Sequence, residues 1–504
     1  SVLRNYPLIG HLRFLLEFIR PEIRQYFIES DNEETPFSRQ QRSIVYQRAK
    51  GESDKRPFGT QLDQRTTGYE WLNHSLMPTD IASQDFRVTV GSASSCTQPY
   101  SASVLNISAM SFGALSANAI LALNGGAKKG GFAHDTGEGA ISPYHRVHGG
   151  DLIWEVASGY FGCRDEHGRF SEERFVANAT SPQVKMIEVK LSQGAKPGHG
   201  GVLPGSKVTP EIAATRGVRS GEECLSPARH SEFSTPIELL QFVERLRKLS
   251  GGKPTGFKLC IGHPWEWFAI VKAMLETGLR PDFIVVDGSE GGTGAAPLEF
   301  ADHVGTPLQE GVLLVHNTLV GVNLRDRIKI GCSGKIISAF DIARAMALGA
   351  DWCNSARGFM FALGCLQAQT CHTGNCPTGV ATQNPLRQKA LAVPDKMERV
   401  YRFHHHTLGA LKEITQAAGL MHPNEFRTTH LVVRVSQHDV RLLANLLPQV
   451  RPGQLLEAEA GQAEWPHKAF TIYWPLANAH SFAPNPVQVS GTADVQGLLR
   501  ESAA

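Results

Sequence analysis

The chain has 504 residues, 41% of them hydrophobic and 19% charged, with a formal net charge of +2. So small a charge excludes a bulk electrostatic drive toward nucleic acid or anionic membrane, and the apolar fraction suffices for a large core. Nine cysteines are too few for a disulfide scaffold in so long a chain, and their odd number fits reduced thiols in a cytosolic setting.

Residues 1–75 read as a polar, helical N-terminal extension without a catalytic signature. "YPLIGHLRFLLEFIR" (residues 6–20) is the nearest approach to a membrane span, but His11, Arg13 and Glu17 break it. It reads as an amphipathic helix. "SDNEETPFSRQQRS" reads as a loop entering a second short helix. The chain opens at Ser1 rather than Met, which leaves room for an upstream leader or membrane anchor. The expected location is cytoplasmic, with membrane association through such a segment left open.

From about Val88 the pattern changes to short β-branched runs alternating with helical stretches. The strands expected are "VLNISA" (Val104–Ala109), "MIEVKL" (Met186–Leu191), "GFKLC" (Gly256–Cys260), "FIVVD" (Phe283–Asp287), "RIKIGC" (Arg327–Cys332) and "WCNSA" (Trp352–Ala356). Both faces of these strands are apolar, which implies a parallel sheet with crossover helices. Six strands, with room for two more, predict an α/β fold, a (β/α)8 TIM-type barrel, over residues 76–425. A doubly wound sheet would carry a dinucleotide fingerprint near its first strand, and none is present. Residues 426–504 are rich in Pro, Gly and Ala and read as an extended C-terminal surface arm.

Barrel chemistry sits where the strands end. There the sequence places "MSFGALS" (residues 110–116), "SQGAKPGHGG" (192–201), "GSEGGTGAAP" (288–297), "SGK" (333–335) and "RG" (357–358). Glycine-rich turns let backbone N–H groups approach a ligand, and those late in a barrel typically hold phosphate. Any one of them alone is as readily a tight turn. Lys190, Lys196 and His199, with Arg216 downstream, form a cationic group suited to an anionic substrate; taken alone it is as readily a solvated loop.

"GCLQAQTCHTGNCPTGV" (residues 364–380) holds Cys365, Cys371 and Cys376. Zinc would want a fourth ligand, and His372, next to Cys371, is poorly placed to complete the tetrahedron. Three thiolates at this spacing suit a small iron–sulfur cluster with one cysteine per iron. Gly374 permits the reversal between the last two. By spacing alone, cluster, zinc and unligated thiols all stay open.

Together, "MSFGALS", "TGEG", "VKLSQGAKPG", "DGSEGGTGAAP" and "ALGCLQAQTCHTGNCPTGVATQ" resemble the synthase domain of the FMN-binding glutamate synthases, in that family's order, from about Val88 to Leu420. The chain is similar in particular to the stand-alone members. The resemblance implies FMN and a [3Fe–4S] cluster on the loop 365–376, with Cys365, Cys371 and Cys376 as metal ligands. Met110, Ser111, Gly113, Lys190 and Lys258 would lie against the flavin and its ribityl chain. Gly292, Thr293, Gly294, Ser333, Gly334 and Arg357 would hold its phosphate. Gln193, Lys196 and Arg216 would bind 2-oxoglutarate, and Glu138, Lys190 and Gln193 would be catalytic.

The departures from the family matter too. The chain lacks the large enzymes' N-terminal nucleophilic cysteine, glutaminase domain and C-terminal β-helix domain, so glutamine hydrolysis in cis is not expected. His199 and Val202 replace polar residues of the family's "KPGxGGx" stretch, which bears on the identity of the oxo acid. The implied activity is reductive amination of 2-oxoglutarate, or a related 2-oxo acid, with ammonia or an amine. Electrons would come from ferredoxin or a separate reductase subunit. A separate glutaminase subunit and a homo-oligomer stay open, and nucleic acid is not expected. The alternatives are oxidation of an amino or N-alkylamino acid into an electron carrier, a non-catalytic subunit of a redox complex, and a nucleotide dehydrogenase with Cys332 as nucleophile.

Overall fold

The computed structural model describes residues 35–92 and 95–486, with scattered positions between 12 and 28. The expected amphipathic helix at residues 6–20 therefore lies largely outside the described residues. The second expected helix is present as Arg39–Lys50. Ser38 and Gln41 close a reciprocal capping box at its start, and Gly51 ends it with φ 75°.

Eight parallel strands close a barrel in chain order: β1 (Leu105–Ile107), β2 (His134–Asp135), β3 (Leu152–Val156), β4 (Val184–Lys190), β5 (Thr255–Leu259), β6 (Phe283–Asp287), β7 (Lys329–Ser333) and β8 (Trp352–Ser355). The last strand pairs with the first through Cys353–Leu105, Asn354–Asn106 and Ser355–Ile107. Six of the eight fall on the expected runs; β2 and β3 fill the remaining places. The two-residue β2 is held by its neighbours, Ile107 on one side and Leu152 and Ile153 on the other.

The long helix Val393–Ala417 packs on Ala117–Gly130. Close approach depends on Gly125 and Gly126, where an added Cβ would stand 2.4 Å from Met397 and 2.5 Å from Val400. Strand Glu70–Leu72, ahead of the barrel, pairs antiparallel with Leu431–Arg434 behind it. Residues 426–486 are folded rather than extended. Helices Gln454–Glu459 and Lys468–Tyr473 bury Leu455 and Phe470, and Phe470 and Trp474 pack on Phe268 with centroids 5.4 and 5.3 Å apart. Burying an aromatic ring of this size is worth roughly 2–3 kcal/mol, which outweighs the weak local propensity that a Pro- and Gly-rich sequence suggests. Among the described residues, no helix is long and apolar enough to cross a membrane.

Candidate active site

The C-terminal ends of the strands open into one cleft enclosing about 1390 Å³ of atom-free space. Its walls include Met110, Ser111, Glu138, Lys190, Gln193, Lys196, Arg216, Lys258, Gly292, Thr293, Gly294, Ser333, Gly334 and Arg357. Gly113 does not line it. With φ 103° it turns the chain behind the wall, and its carbonyl accepts from Gln383.

The β4 strand delivers Lys190 to the floor. Its Nζ lies 2.9 Å from Glu138 Oε2 and 2.6 Å from Gln193 Oε1, with Glu155 Oε1 at 3.9 Å. Burial alone would raise the Glu138 carboxyl, but Lys190, with Arg216 and Lys196 behind it, outweighs burial and holds the carboxyl below its usual range. Glu138 and Glu155 together outweigh the burial of Lys190 and raise its amine above its usual range. Gly201 serves this pair, since a Cβ there would stand 2.1 Å from Glu138 Oε1.

The two side chains expected to meet a carboxylate differ. Lys196 is 4% exposed and its ammonium makes no hydrogen bond or ion pair among the described residues, and burial lowers its amine below the usual range. Arg216 is mostly committed to protein. One terminal nitrogen donates to the Phe112 carbonyl at 3.1 Å and reaches Ser111 Oγ at 3.4 Å, and the guanidinium lies over the Phe161 ring. Only its Nε is buried without a partner.

The loop after β6 has the form of a phosphate cradle. The N–H groups of Gly292, Thr293 and Gly294 make no hydrogen bond, whereas that of Gly291 donates to the Gly288 carbonyl. A Cβ at Gly294 would meet nothing within 4 Å, and one at Gly292 would stand 3.0 Å from Arg357 Nε. Arg357 in turn donates to the Thr293 carbonyl at 2.7 Å. Unpaired donors, an adjoining guanidinium and open space at a Cα fit a bound phosphate. Asp287 braces the loops by accepting from Gly194 N at 2.7 Å and from the Ser333 hydroxyl.

The cysteine loop leaves helix Arg357–Leu363 at Gly364 and reverses at Gly374, φ 76°. Cys365 and Cys376 are buried and Cys371 is half-buried. The three Sγ atoms are not among the donor groups that converge within 4.8 Å. Four sulfurs at about 2.3 Å from one zinc would lie roughly 3.8 Å apart, so these thiols do not surround a single ion. A cluster that takes one thiolate per iron asks for a wider spacing than a single ion does. Backbone N–H groups also point at the sulfurs, among them Gln367 N, 3.4 Å from Cys365 Sγ. Cys332 is fully buried with its Sγ 3.6 Å from Cys353 Sγ and does not line the cleft, so the nucleophile reading is overturned.

Several residues beyond the candidate set also line or brace the site. Lys207, 5% exposed, lines the cleft and donates to the Cys371 carbonyl at 2.5 Å. Tyr46, from the N-terminal helix, donates to the Cys365 carbonyl at 2.6 Å. Glu155 and Asp287 line the floor. Their signal was available, since a charged residue inside or at the end of an apolar strand must face a polar interior.

Residues 65–421 match the pattern described as the conserved region in glutamate synthase. The chain belongs to the glutamate synthase family. It is 39% identical over 489 residues to the glutamate synthase large subunit-like protein YerD of Bacillus subtilis, covering 89% of this chain and 93% of that one. It is 37% identical over 315 residues to the archaeal glutamate synthase [NADPH] of Methanocaldococcus jannaschii, covering 62% and 58% respectively. The chain thus spans less than two thirds of that glutamate synthase. Among solved structures, a flavocytochrome b2 mutant with pyruvate bound aligns over 88% of this chain and 90% of its own, with a TM-score of 0.44 and 12% identity.

Proposed function

We propose that this member of the glutamate synthase family is an FMN- and iron–sulfur-dependent oxidoreductase. It reductively aminates 2-oxoglutarate, or a closely related 2-oxo acid, with ammonia or a small amine. The observation that carries this reading is the single cleft. It brings the glycine cradle 292–294 and Arg357, the Lys190–Glu138 pair and the unpaired Lys196 ammonium to one barrel mouth beside the cysteine loop. When bound, FMN supplies two-electron chemistry and the cluster supplies electrons singly.

The chain's own residues do the rest. Gly292, Thr293, Gly294 and Arg357 would hold the phosphate, with Ser333 and Gly334 beside it, and Met110, Ser111, Lys190 and Lys258 would border the ring and ribityl chain. Cys365, Cys371 and Cys376 would carry the cluster. Lys196 would take one substrate carboxylate, with Gln193 and the Ser111–Arg216 side taking the other. As placed, Glu138 is an ionised acceptor that can orient an incoming amine. Lys190 is the protonated member, and it can release a proton toward a nitrogen or carbon that gains electrons. The electron donor is ferredoxin or a separate reductase subunit. Gly113, behind the wall, would shape the turn rather than touch the flavin.

The test is the visible spectrum of protein loaded with FMN and iron, reduced anaerobically, then mixed with 2-oxoglutarate and ammonium or methylamine. Reoxidation coupled to amino acid formation is expected. No spectral response to 2-oxoglutarate, pyruvate or oxaloacetate would leave the non-catalytic redox-subunit reading in its place.

A further inference from the structure

Beneath the cleft, inside the barrel, lie three carboxyl groups that the proposed chemistry leaves unused. Asp135 on β2, Glu155 on β3 and Glu188 on β4 place carboxylate oxygens within 4.8 Å of one another. None is more than 1% exposed. The arrangement could hold a cation, but the Lys258 ammonium of β5 already fills it. Lys258 contacts Glu155 closely and lies 3.2 Å from Glu188 Oε1.

One ammonium does not balance three carboxylates. Lys190, also on β4, reaches only Glu155, at 3.9 Å. Asp287 on β6 adds negative charge rather than removing it. Asp135 has one donor, Gly137 N at 3.0 Å. Neither oxygen of Glu188 makes a well-aligned hydrogen bond, although the Lys258 ammonium stands 3.2 Å from Oε1 and pulls its carboxyl down. Two carboxylates this close, dry and under-compensated do not both ionise. Burial first moves both toward the neutral acid; Glu188 and Glu155 raise Asp135 further, and Glu155 and Asp287 raise Glu188, against the pull of Lys258.

We propose that Asp135 and Glu188 hold one proton between them as an acid–carboxylate pair, and that this pair feeds protons to the cleft through Glu155 and Lys190. The shared proton rests on three buried carboxyl groups crowded about one ammonium. The relay rests on the functional reading above, which requires protons at a buried site. Lys190 gives a proton to the reacting group beside Glu138, breaking one N–H bond. Glu155 takes the proton of the pair and passes it to Lys190, restoring that bond. Gaps of 3.9–4.8 Å need a small side-chain swing or one water. A solvent hydronium proton, passed along water in the emptied cleft, refills the pair and leaves water behind, and no electrons move in any of these transfers.

Two near-isosteric variants, Glu188→Gln and Asp135→Asn, test both halves. In cofactor-free protein at neutral pH, infrared spectra in H2O and D2O should show one carboxylic-acid carbonyl component that disappears in each single variant, because the remaining carboxylate ionises beside Lys258. A component missing from the unaltered protein, or surviving in both variants, overturns the shared proton. In FMN-loaded, reduced protein, reoxidation by 2-oxoglutarate and ammonium should slow about tenfold in each variant and fall with rising pH, where the unaltered protein is nearly flat. An unchanged rate and pH profile in both variants overturns the relay. If the unaltered protein itself fails to respond to the substrates, the functional reading fails, while the infrared result still decides the shared proton.

Discussion

Lys190 Nζ and Glu138 Oε2 stand 2.9 Å apart at the floor of the cleft, with side chains only 11% and 19% exposed. A pair this sheltered from water is costly to break, because the survivor is left charged without its partner. Gln193 and Glu155 remain near Lys190 and temper that cost. Glu138→Gln should therefore destabilise the protein by about 1–3 kcal/mol at neutral pH. The Glu138 carboxyl is depressed in the folded state. Its stabilisation is fully present above the unfolded carboxyl range and is lost as pH falls through the folded value. The gap in unfolding midpoint between the two proteins should accordingly be open at pH 7 and close below about pH 4. A gap that persists unchanged in acid would mean that the pair is not its source.

Gly201→Ala attacks the same pair from the side. The new Cβ would stand 2.1 Å from Glu138 Oε1, so the carboxylate must move off Lys190. Gly201 is not among the positive-φ glycines, so the backbone tolerates alanine. The expected result is folded, FMN-binding protein whose reoxidation by the 2-oxo acid and amine drops at least tenfold, about 1.4 kcal/mol. Retention of full rate would remove Glu138 from the chemistry.

Glycine 294 tests the cradle. No protein atom lies within 4 Å of the position its Cβ would take, so valine there occupies the ligand's space rather than a neighbour's. Gly294→Val should lower FMN affinity by more than about tenfold, read by equilibrium fluorescence, with the circular dichroism spectrum unchanged. Undiminished affinity would make the 291–294 segment an ordinary turn.

The cysteine loop makes a separable prediction. Protein matured anaerobically with iron and sulfide should hold about three irons per chain. Cys371→Ser should lose most of that iron while keeping FMN, whose proposed contacts lie on other loops. Stoichiometric zinc without iron would exclude the cluster. Tyr46→Phe should loosen the loop without removing a ligand, since the hydrogen bond to the Cys365 carbonyl is deleted.

The barrel was readable because most of its strands are apolar on both faces, and only a doubly covered parallel sheet asks for that. The β2 strand was not, since His134 and Asp135 are paired by register with Ile107, Leu152 and Ile153 rather than by their own propensity. The glycine loops announced the cleft, but not its floor. Glu155, Glu188 and Lys258 sit within or at the end of apolar strands, and their pairing depends on which strands close side by side. Tyr46 lies 319 residues from the carbonyl it meets, a separation that no local pattern encodes. The C-terminal segment misled because its composition favours loops, while Phe470 and Trp474 find Phe268 only in three dimensions.

Lys196 and Arg216 should respond differently to substitution, although both were expected to clamp carboxylates. The Lys196 ammonium is buried and unpaired, so a carboxylate brought to it gains a charge-assisted partner at little reorganisation cost. Lys196→Met should weaken 2-oxoglutarate by roughly 2–3 kcal/mol, about 30- to 150-fold, in titrations of the flavin spectrum. Arg216 already spends donors on Phe112 and Ser111 and rests on Phe161. Arg216→Lys should therefore cost fold stability as well as affinity, because a lysine cannot reproduce the planar fork that ties those two residues together. A lowered unfolding midpoint with this variant, and an unchanged one with Lys196→Met, would separate the wall-building cation from the substrate-binding one. Equal losses of affinity with no loss of stability would instead make Arg216 a direct carboxylate ligand.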